Sequence, residues 1–145
     1  GDWGWDTHIY NFELLQDRHC PIFDRSFSAL LDDLDDRGMM EDTLVVAMGE
    51  FGRNPQMGTQ DSPDGRNHWP AIASMTIAGG GFRHGQVIGA SSSDGGEIKE
   101  RPVTPGDLAA TIYHHFGIPL DATYEDHRGR PRYILEHGKP LEELV

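Results

Sequence analysis

One short apolar run constrains the fold of this 145-residue chain more than any other feature. Residues 43–48 read TLVVAM, which is β-branched and continuously apolar. A strand buried on both faces has such a sequence, whereas a strand with one solvated face alternates apolar and polar residues. A helical pattern lies before this run, and a brief turn separates the two. The order predicts an α/β fold in which residues 43–48 form a buried strand of a layered sheet.

The helix predicted before this strand runs from Pro21 to Arg37. Pro21 suits a first helical turn, and Gly38 suits the position just past the last turn, where a left-handed backbone is common. The apolar residues recur at three- and four-residue spacing and form one stripe, which comprises Phe23, Phe27, Leu30, Leu31 and Leu34.

The rest of the chain predicts few further elements. Thr104 can cap a helix that continues to about Phe116, with Pro105 in its first turn and Asp107 three residues after the cap. The other expected elements are a loop at residues 1–12, a long polar loop at 50–70, a strand at 73–78 ended by three glycines, a short strand at 86–88, and an extended tail.

Two or three strands do not complete a two-sided sheet. We therefore expect residues 1–145 to form a single but partial domain, with more of the sheet outside this chain. An incomplete sheet exposes strand edges, so self-association or pairing with an N-terminal half is expected.

The charge balance excludes some partners. The chain has 24 acidic and 12 basic residues and a formal net charge of −12, which repels nucleic acid and anionic membrane surfaces. No apolar run reaches the roughly 20 residues of a membrane helix. The single cysteine excludes an intrachain disulfide and a multi-cysteine metal cluster.

Asp6 and His8 are the first residues that indicate chemistry. They are two apart in WDTH, and this spacing in an extended segment directs a carboxylate and an imidazole to the same side. They could form half of a metal site or serve only as hydrogen-bonding groups of a loop.

A second candidate segment is MGEFGR, directly after the predicted buried strand. Open α/β sheets place ligands at the carboxyl ends of their strands, which favours a functional Glu50. Arg53 offers a planar donor fork for a carboxylate or an oxyanion. The alternative is a surface loop with an arginine–glutamate pair.

The third segment is GRNHWP, in which Arg66 and Asn67 precede His68. A lone histidine is commonly a hydrogen-bonded structural residue. Together, however, the three segments supply two histidines, an aspartate and a glutamate, which is a ligand set suited to zinc, manganese or iron.

The segments GWDTH, TLVVAMGEFGRNP, GRNHWP and GGGFRHGQVIGAS, in this order, resemble an uncharacterised sulfatase-like bacterial family, the domain of unknown function 1501. That family is similar to a branch of the alkaline phosphatase and sulfatase superfamily. The resemblance implies that the chain is the C-terminal, metal-site part of a three-layer domain with a large mixed sheet between helices.

The resemblance also implies roles for individual residues. Asp6 and His8 match the pair that binds one metal, His68 matches a later ligand of the same metal, and Glu50 matches the acidic ligand of a second. Phe51 departs from the superfamily pattern, in which a polar residue follows that acidic ligand. The superfamily's nucleophile belongs to the N-terminal half.

The function implied by the resemblance is metal-dependent hydrolysis of a small anionic phosphate or sulfate ester, with Arg53 or Arg66 neutralising developing charge. Zinc is the metal expected first, then manganese, iron or calcium. The resemblance further implies export to the periplasm or cell envelope. Two alternatives stay open: a non-catalytic binding or structural module that keeps the hydrolase fold, and an unrelated metal-free α/β domain.

Overall fold

The computed structural model describes residues 4–145, so the first three residues of the predicted opening loop lie outside it. The chain divides into two compact units. The first unit contains the residues up to Gly81 together with Ser91–Lys99, and the second contains Phe82–Ala90 and Glu100–Val145. Whether the chain is one partial domain stays a prediction.

The first unit begins with a helical segment longer than predicted. It consists of α1 (Asn11–Leu14), a π-helical turn (Leu15–His19) and α2 (Cys20–Asp36). The Cys20 amide donates to the Leu15 carbonyl, which is the hydrogen bond of a π turn. In an α-helix a proline ring collides with the carbonyl four residues earlier, and the wider π turn stands directly before Pro21. The predicted helix is thus confirmed as α2, but helical backbone begins ten residues earlier.

The end of α2 follows the sequence prediction. Gly38 has a φ of +66°, its amide donates to the Asp35 carbonyl at 2.8 Å, and the Met39 amide donates to the Leu34 carbonyl at 2.8 Å. These two bonds form a Schellman motif, which satisfies carbonyls that the last turn would otherwise leave unpaired.

The apolar stripe of α2 is covered only in part. Leu34 is buried, whereas Phe23 and Leu30 are 42% and 46% exposed. The Phe23 and Phe27 rings stack on each other at 5.2 Å between centroids. The helix is therefore amphipathic as predicted, with two of the five stripe residues exposed, two half-buried and one buried.

The predicted strand at residues 43–48 is present as β1 (Leu44–Met48). It pairs antiparallel with a strand at Met75–Gly79, in a register from Leu44 opposite Gly79 to Met48 opposite Met75. The prediction of complete burial is wrong, because β1 is half-buried over four residues and exposed at Met48. Its single antiparallel partner covers one edge and leaves both faces thinly covered.

The polar loop between these strands contains a small ladder that the sequence did not predict. β2 (Gly52–Arg53) pairs antiparallel with β3 (His68–Trp69), and Met75–Gly79 is then β4. A 3-10 turn at Thr59–Asp61 lies between β2 and β3. The ladder pairs the two ends of the loop with each other. Residues 54–67 therefore form a loop that begins and ends at the β2–β3 ladder. Gly79, Gly80 and Gly81 end β4 with positive φ, as predicted.

The chain passes between the two units in a hairpin of β5 (Ala90–Ser91) and β6 (Ile98–Glu100). The predicted strand at 86–88 is wrong. Gly85 and Gly89 both have left-handed backbone and break extended pairing on either side. The Gln86 side chain instead donates to the carbonyls of Arg83 and Glu143.

The second unit is built on α3 (Pro105–His115). Thr104 and Asp107 form a reciprocal capping box, which confirms the predicted helix start. The hairpin of β7 (Thr123–Glu125) and β8 (Pro131–Tyr133) occupies a tail that the sequence predicted to be coil. The buried apolar side chains of this unit are Leu108, Ala110, Leu141 and Leu144.

The described chain is therefore mixed α/β, with four separate two-stranded antiparallel sheets. Within residues 4–145, no helix is both long enough and apolar enough to cross a membrane.

Candidate metal centre

Three of the predicted ligands converge in the first unit. The Asp6 carboxylate, the His8 imidazole and the His68 imidazole each offer one ligand atom, and these atoms all lie within 4.8 Å of one another. Asp6 Oδ1 is 3.1 Å from His8 Nε2 and 2.7 Å from His68 Nε2. We call this group the Asp6–His8–His68 cluster.

Asp6 and His8 share one side of the chain because the residue between them faces inward. Thr7 is buried, and its hydroxyl donates to the buried Asn11 amide oxygen at 2.8 Å. On either side of the inward-facing Thr7, the side chains of Asp6 and His8 are 64% and 26% exposed and contact each other. The predicted orientation of this pair is confirmed by the contact between them.

The segment with Asp6 and His8 is tied to the polar loop. The Arg66 amide donates to the His8 carbonyl at 3.0 Å, and the Tyr10 amide donates to the Ser62 hydroxyl at 3.1 Å. Asp64 accepts from the Ser62 hydroxyl and the Phe12 amide, at 2.7 Å and 3.0 Å. All of these bonds except the one between Ser62 and Asp64 join residues more than fifty positions apart, so the cluster depends on the loop keeping its shape.

His68 reaches the cluster from the β2–β3 ladder, in which it stands opposite Arg53. The Phe51 ring packs on the His68 ring with centroids 4.1 Å apart. The ring centroids of His8 and His68 lie 4.6 Å apart. Phe51, at which the resemblance to the superfamily implied a polar residue, therefore supports a candidate ligand by packing.

Arg53 lies beside the cluster, as predicted, but both of its Nη atoms already donate hydrogen bonds. One Nη donates to the Trp5 carbonyl at 3.1 Å and to Asp6 Oδ1 at 3.4 Å. The other donates to the Arg66 carbonyl at 3.4 Å. Arg53 thus joins the ligand segment to the loop and also supplies a positive charge at Asp6.

The structure does not bring the remaining two predicted residues into the cluster. Glu50 is exposed and is not part of the group of potential ligands among residues 4–145. Arg66 donates to the carbonyls of Asn54 and Arg53, and its guanidinium lies 5.8 Å from the centre of the Phe12 ring. Its observed contacts shape the loop.

Sequence reasoning missed Asn67 as a contributor. The His8 Nδ1 atom lies 3.2 Å from the Asn67 side-chain oxygen. Asn67 stands beside a candidate ligand in GRNHWP, and a carbonyl-type oxygen commonly contacts the free ring nitrogen of a metal-binding histidine. The position of Asn67 next to His68 in the sequence could have indicated this contact.

The electrostatics of Asp6 follow from these contacts. The hydrogen bond from His68 is the largest cause that lowers the pKa of the Asp6 carboxyl, and the charges of His8, His68 and Arg53 add to it. Desolvation, the second largest effect, opposes them, and the pKa stays below its ordinary value. Asp6 is therefore ionised at neutral pH, as a metal ligand must be.

The donor set fits a divalent cation. Zinc binds imidazole nitrogen and carboxylate oxygen at about 2.0–2.2 Å, so neighbouring ligand atoms of a tetrahedral site lie about 3.3 Å apart. The 3.1 Å and 2.7 Å contacts at Asp6 are near that spacing. Asp6 is 64% exposed at its side chain, so the centre is open on one side, as in sites that bind a further ligand.

The fold and the cluster define a mixed α/β protein with a candidate three-ligand metal centre. The whole chain, residues 1–145, matches the family described as Protein of unknown function (DUF1501), and the chain belongs to this family. No curated protein and no solved structure matches the chain.

Proposed function

We propose that the Asp6–His8–His68 cluster binds one divalent metal ion, zinc foremost, in a sulfatase-like protein that hydrolyses phosphate or sulfate esters. One observation carries the proposal: an aspartate oxygen and two imidazole nitrogens from segments sixty residues apart lie within 4.8 Å of one another. Manganese, iron and calcium are further candidates, although two nitrogen ligands favour zinc and iron over calcium.

A bound divalent ion would supply Lewis acidity to an anionic ester oxygen. The residues of this chain would hold that ion and orient its ligands. Arg53 would compensate charge near the ester while holding Asp6 in place, and Glu50 is proposed as a ligand of a second metal. We further propose that the small sheets seen here belong to a three-layer domain of the alkaline phosphatase type.

A second candidate function is a non-catalytic module that keeps the fold. The observation that favours it is the Arg53 guanidinium, which already provides Asp6 with a positive partner at 3.4 Å. An ion pair of this kind satisfies the carboxylate without a metal. The two functions differ in whether the metal binds and whether an ester is turned over.

The test is elemental analysis by plasma mass spectrometry of the whole chain after zinc loading and dialysis. We expect about one zinc ion per chain in the wild type, and near-complete loss in the His8→Ala, His68→Ala double variant, because one remaining carboxylate does not hold zinc. The matched control is His114→Ala, His127→Ala, which removes two exposed histidines outside the cluster and should keep its zinc.

The proposed hydrolase activity requires an N-terminal half that supplies the nucleophile. Hydrolysis of 4-nitrophenyl phosphate and 4-nitrophenyl sulfate by the zinc-loaded full-length protein therefore separates the two functions. Turnover that disappears in the double variant supports the hydrolase. Zinc binding without turnover supports the binding module, and zinc retained by the double variant contradicts the proposed site.

A further inference from the structure

One face of the β2–β3 ladder carries the side chains that reach Asp6. Arg53 and His68 stand directly opposite each other in the register, so their side chains lie on the same face. Both contact Asp6 Oδ1, at 3.4 Å and 2.7 Å. Phe51 precedes Arg53 by two residues, and side chains two apart in an extended segment share a face. This face therefore holds an arginine, an imidazole and a phenyl ring.

Phe51 is the diagonal neighbour of His68 across the ladder, at a separation that aromatic side chains can bridge. The two ring centroids are 4.1 Å apart, and the ring planes are inclined at 36°. The backbone beside Phe51 is held, because the Gly52 amide donates to the Ile72 carbonyl at 2.7 Å. A Cβ at residue 52 would lie 2.5 Å from that carbonyl oxygen, so the close approach requires glycine. The ladder and this contact together keep the Phe51 ring against His68.

The two imidazoles of the cluster differ in what restrains each ring. His8 has a polar neighbour on the side away from Asp6, because its Nδ1 lies 3.2 Å from the Asn67 side-chain oxygen. The His68 ring makes one hydrogen-bonding contact with residues 4–145, which is the contact between Nε2 and Asp6. Histidines that bind metals are usually oriented by a hydrogen bond at their other ring nitrogen. At His68, packing by Phe51 takes the place of that bond.

The orientation of the His68 ring decides where its Nε2 atom lies. The side chain is 39% exposed, and the torsion between Cβ and an imidazole ring has broad energy wells. Its ring neighbours among the described residues are Phe51 and His8, and His8 is itself a candidate ligand. Without the Phe51 ring, the imidazole could turn and carry Nε2 away from Asp6.

We infer that Phe51 is a positioning residue whose ring fixes the orientation of the His68 imidazole and so keeps Nε2 within the Asp6–His8–His68 cluster. The consequence for metal binding rests on the proposed function. The ring orientation itself is a property of the metal-free chain. The two statements can therefore fail separately.

The test compares Phe51→Leu, which removes the ring but keeps an apolar side chain, with Phe51→Tyr, which keeps the ring. Phe51→Met is a second ring-free variant, used if circular dichroism shows that Phe51→Leu does not fold. The matched control is Phe116→Leu, which removes a ring that packs on the His115 ring at 5.2 Å, outside the cluster.

The first readout is the nuclear Overhauser effect between the ring protons of His8 and His68 in the metal-free chain. The signals are assigned by their loss in His8→Ala and in His68→Ala. We expect the effect in the wild type, in Phe51→Tyr and in Phe116→Leu, because the two ring centroids are 4.6 Å apart. It should be lost or much weaker in the ring-free variants.

The second readout is zinc affinity, measured on the whole chain by competition with a chromogenic chelator. It should fall roughly 10–100-fold in the ring-free variants, as for the loss of other groups that orient a metal-binding histidine. Phe51→Tyr and Phe116→Leu should bind zinc as the wild type does.

An unchanged Overhauser effect between His8 and His68 in a folded ring-free variant overturns the inference, whatever the zinc affinity. A ring-free variant that loses the effect but keeps the zinc affinity of the wild type also overturns it, because the ring orientation then does not serve the metal. If the wild type binds no zinc but the effect disappears as expected, the proposed metal function fails and the positioning role of Phe51 stands.

Discussion

Asp6 and Asp126 are both aspartates with depressed pKa values, but they lie in regions organised in opposite ways. Asp126 accepts hydrogen bonds from the backbone amides of Arg128 and Arg130 and from the Arg130 guanidinium, all within four residues. Asp6 accepts from Arg53 and contacts His68, 47 and 62 residues away. The Asp126 carboxylate stabilises its own turn, whereas the Asp6 carboxylate contacts side chains from distant segments.

The cause of each pKa shift shows the same difference. The Arg130 side chain and then backbone amides lower the pKa of Asp126, whereas the His68 side chain and nearby side-chain charges lower that of Asp6. A carboxylate satisfied by its own turn has little capacity left for a ligand. A carboxylate surrounded by imidazoles from elsewhere has the surroundings of a binding site.

Gly65→Ala should disrupt the contacts between the segment around Asp6 and the polar loop. We expect it to have the largest effect on stability and zinc binding. A Cβ at residue 65 would lie 2.1 Å from the Thr59 carbonyl oxygen and 3.1 Å from the His8 carbonyl oxygen, so backbone must move. We expect a loss of about 2–3 kcal/mol in the free energy of unfolding, measured by urea titration, together with loss of zinc.

Gly49→Ala is the matched control for this substitution. Its Cβ would meet nothing closer than the Phe51 carbonyl oxygen at 3.6 Å, so we expect a change of less than about 0.5 kcal/mol. Equal stability of the two variants would show that the loop adapts and that the cluster does not depend on its shape.

Thr104→Ala should act on the second unit alone. It removes the hydroxyl that accepts from the Asp107 amide at 3.1 Å, and helix caps of this kind stabilise by about 1 kcal/mol. Thermal unfolding should show this loss, Thr104→Ser should restore most of it, and the zinc content should not change. A variant that loses zinc would contradict the separation between local and long-range organisation.

The smallest expected effect concerns Glu143, which the Arg101 guanidinium contacts at 2.6 Å and 2.8 Å. This pair lowers the pKa of Glu143 to about 2. A depressed carboxyl pKa stabilises the folded state above the unfolded value of about 4.3, and this contribution is lost as the pH falls towards 2. Because the pair is exposed, salt should screen it.

Arg101→Met should return the pKa of Glu143 towards its ordinary value, as carbon-13 NMR titration of the carboxyl would show. Glu142, the neighbouring carboxylate, serves as the internal reference. A Glu143 pKa that stays near 2 in the variant would assign the shift to backbone contacts, which are the next cause.

The sequence predicted the elements whose determinants are local. The stripe of α2, its end at Gly38, the capping box of α3 and the glycines after β4 each depend on a few adjacent residues. It did not predict the β7–β8 hairpin or the β2–β3 ladder, because two- and three-residue strands carry too little pattern to recognise. The π turn was missed because its sequence, LQDRH, also suits an α-helix.

The part of the site that depends on residue type alone was predictable from the sequence. Asp6, His8 and His68 were predicted as ligands, and the structure places them together. The engagement of Arg53, the structural contacts of Arg66 and the contribution of Asn67 depend on how the polar loop folds back, which spacing alone does not reveal. Glu50 as a second-metal ligand stays a prediction.

The π turn at Leu15–His19 couples the number of residues in the first helical segment to the geometry of the Asp6–His8–His68 cluster. The turn accommodates one residue more than an α-helical turn would, and each residue of a helix represents a rotation of about 100°. It also places the His19 ring against Trp5, with centroids 5.0 Å apart. Loss of one residue here would rotate Asn11, and with it the anchor of Thr7, relative to α2. We therefore expect an insertion or deletion in this turn to disturb the Asp6–His8–His68 cluster as well as the helix.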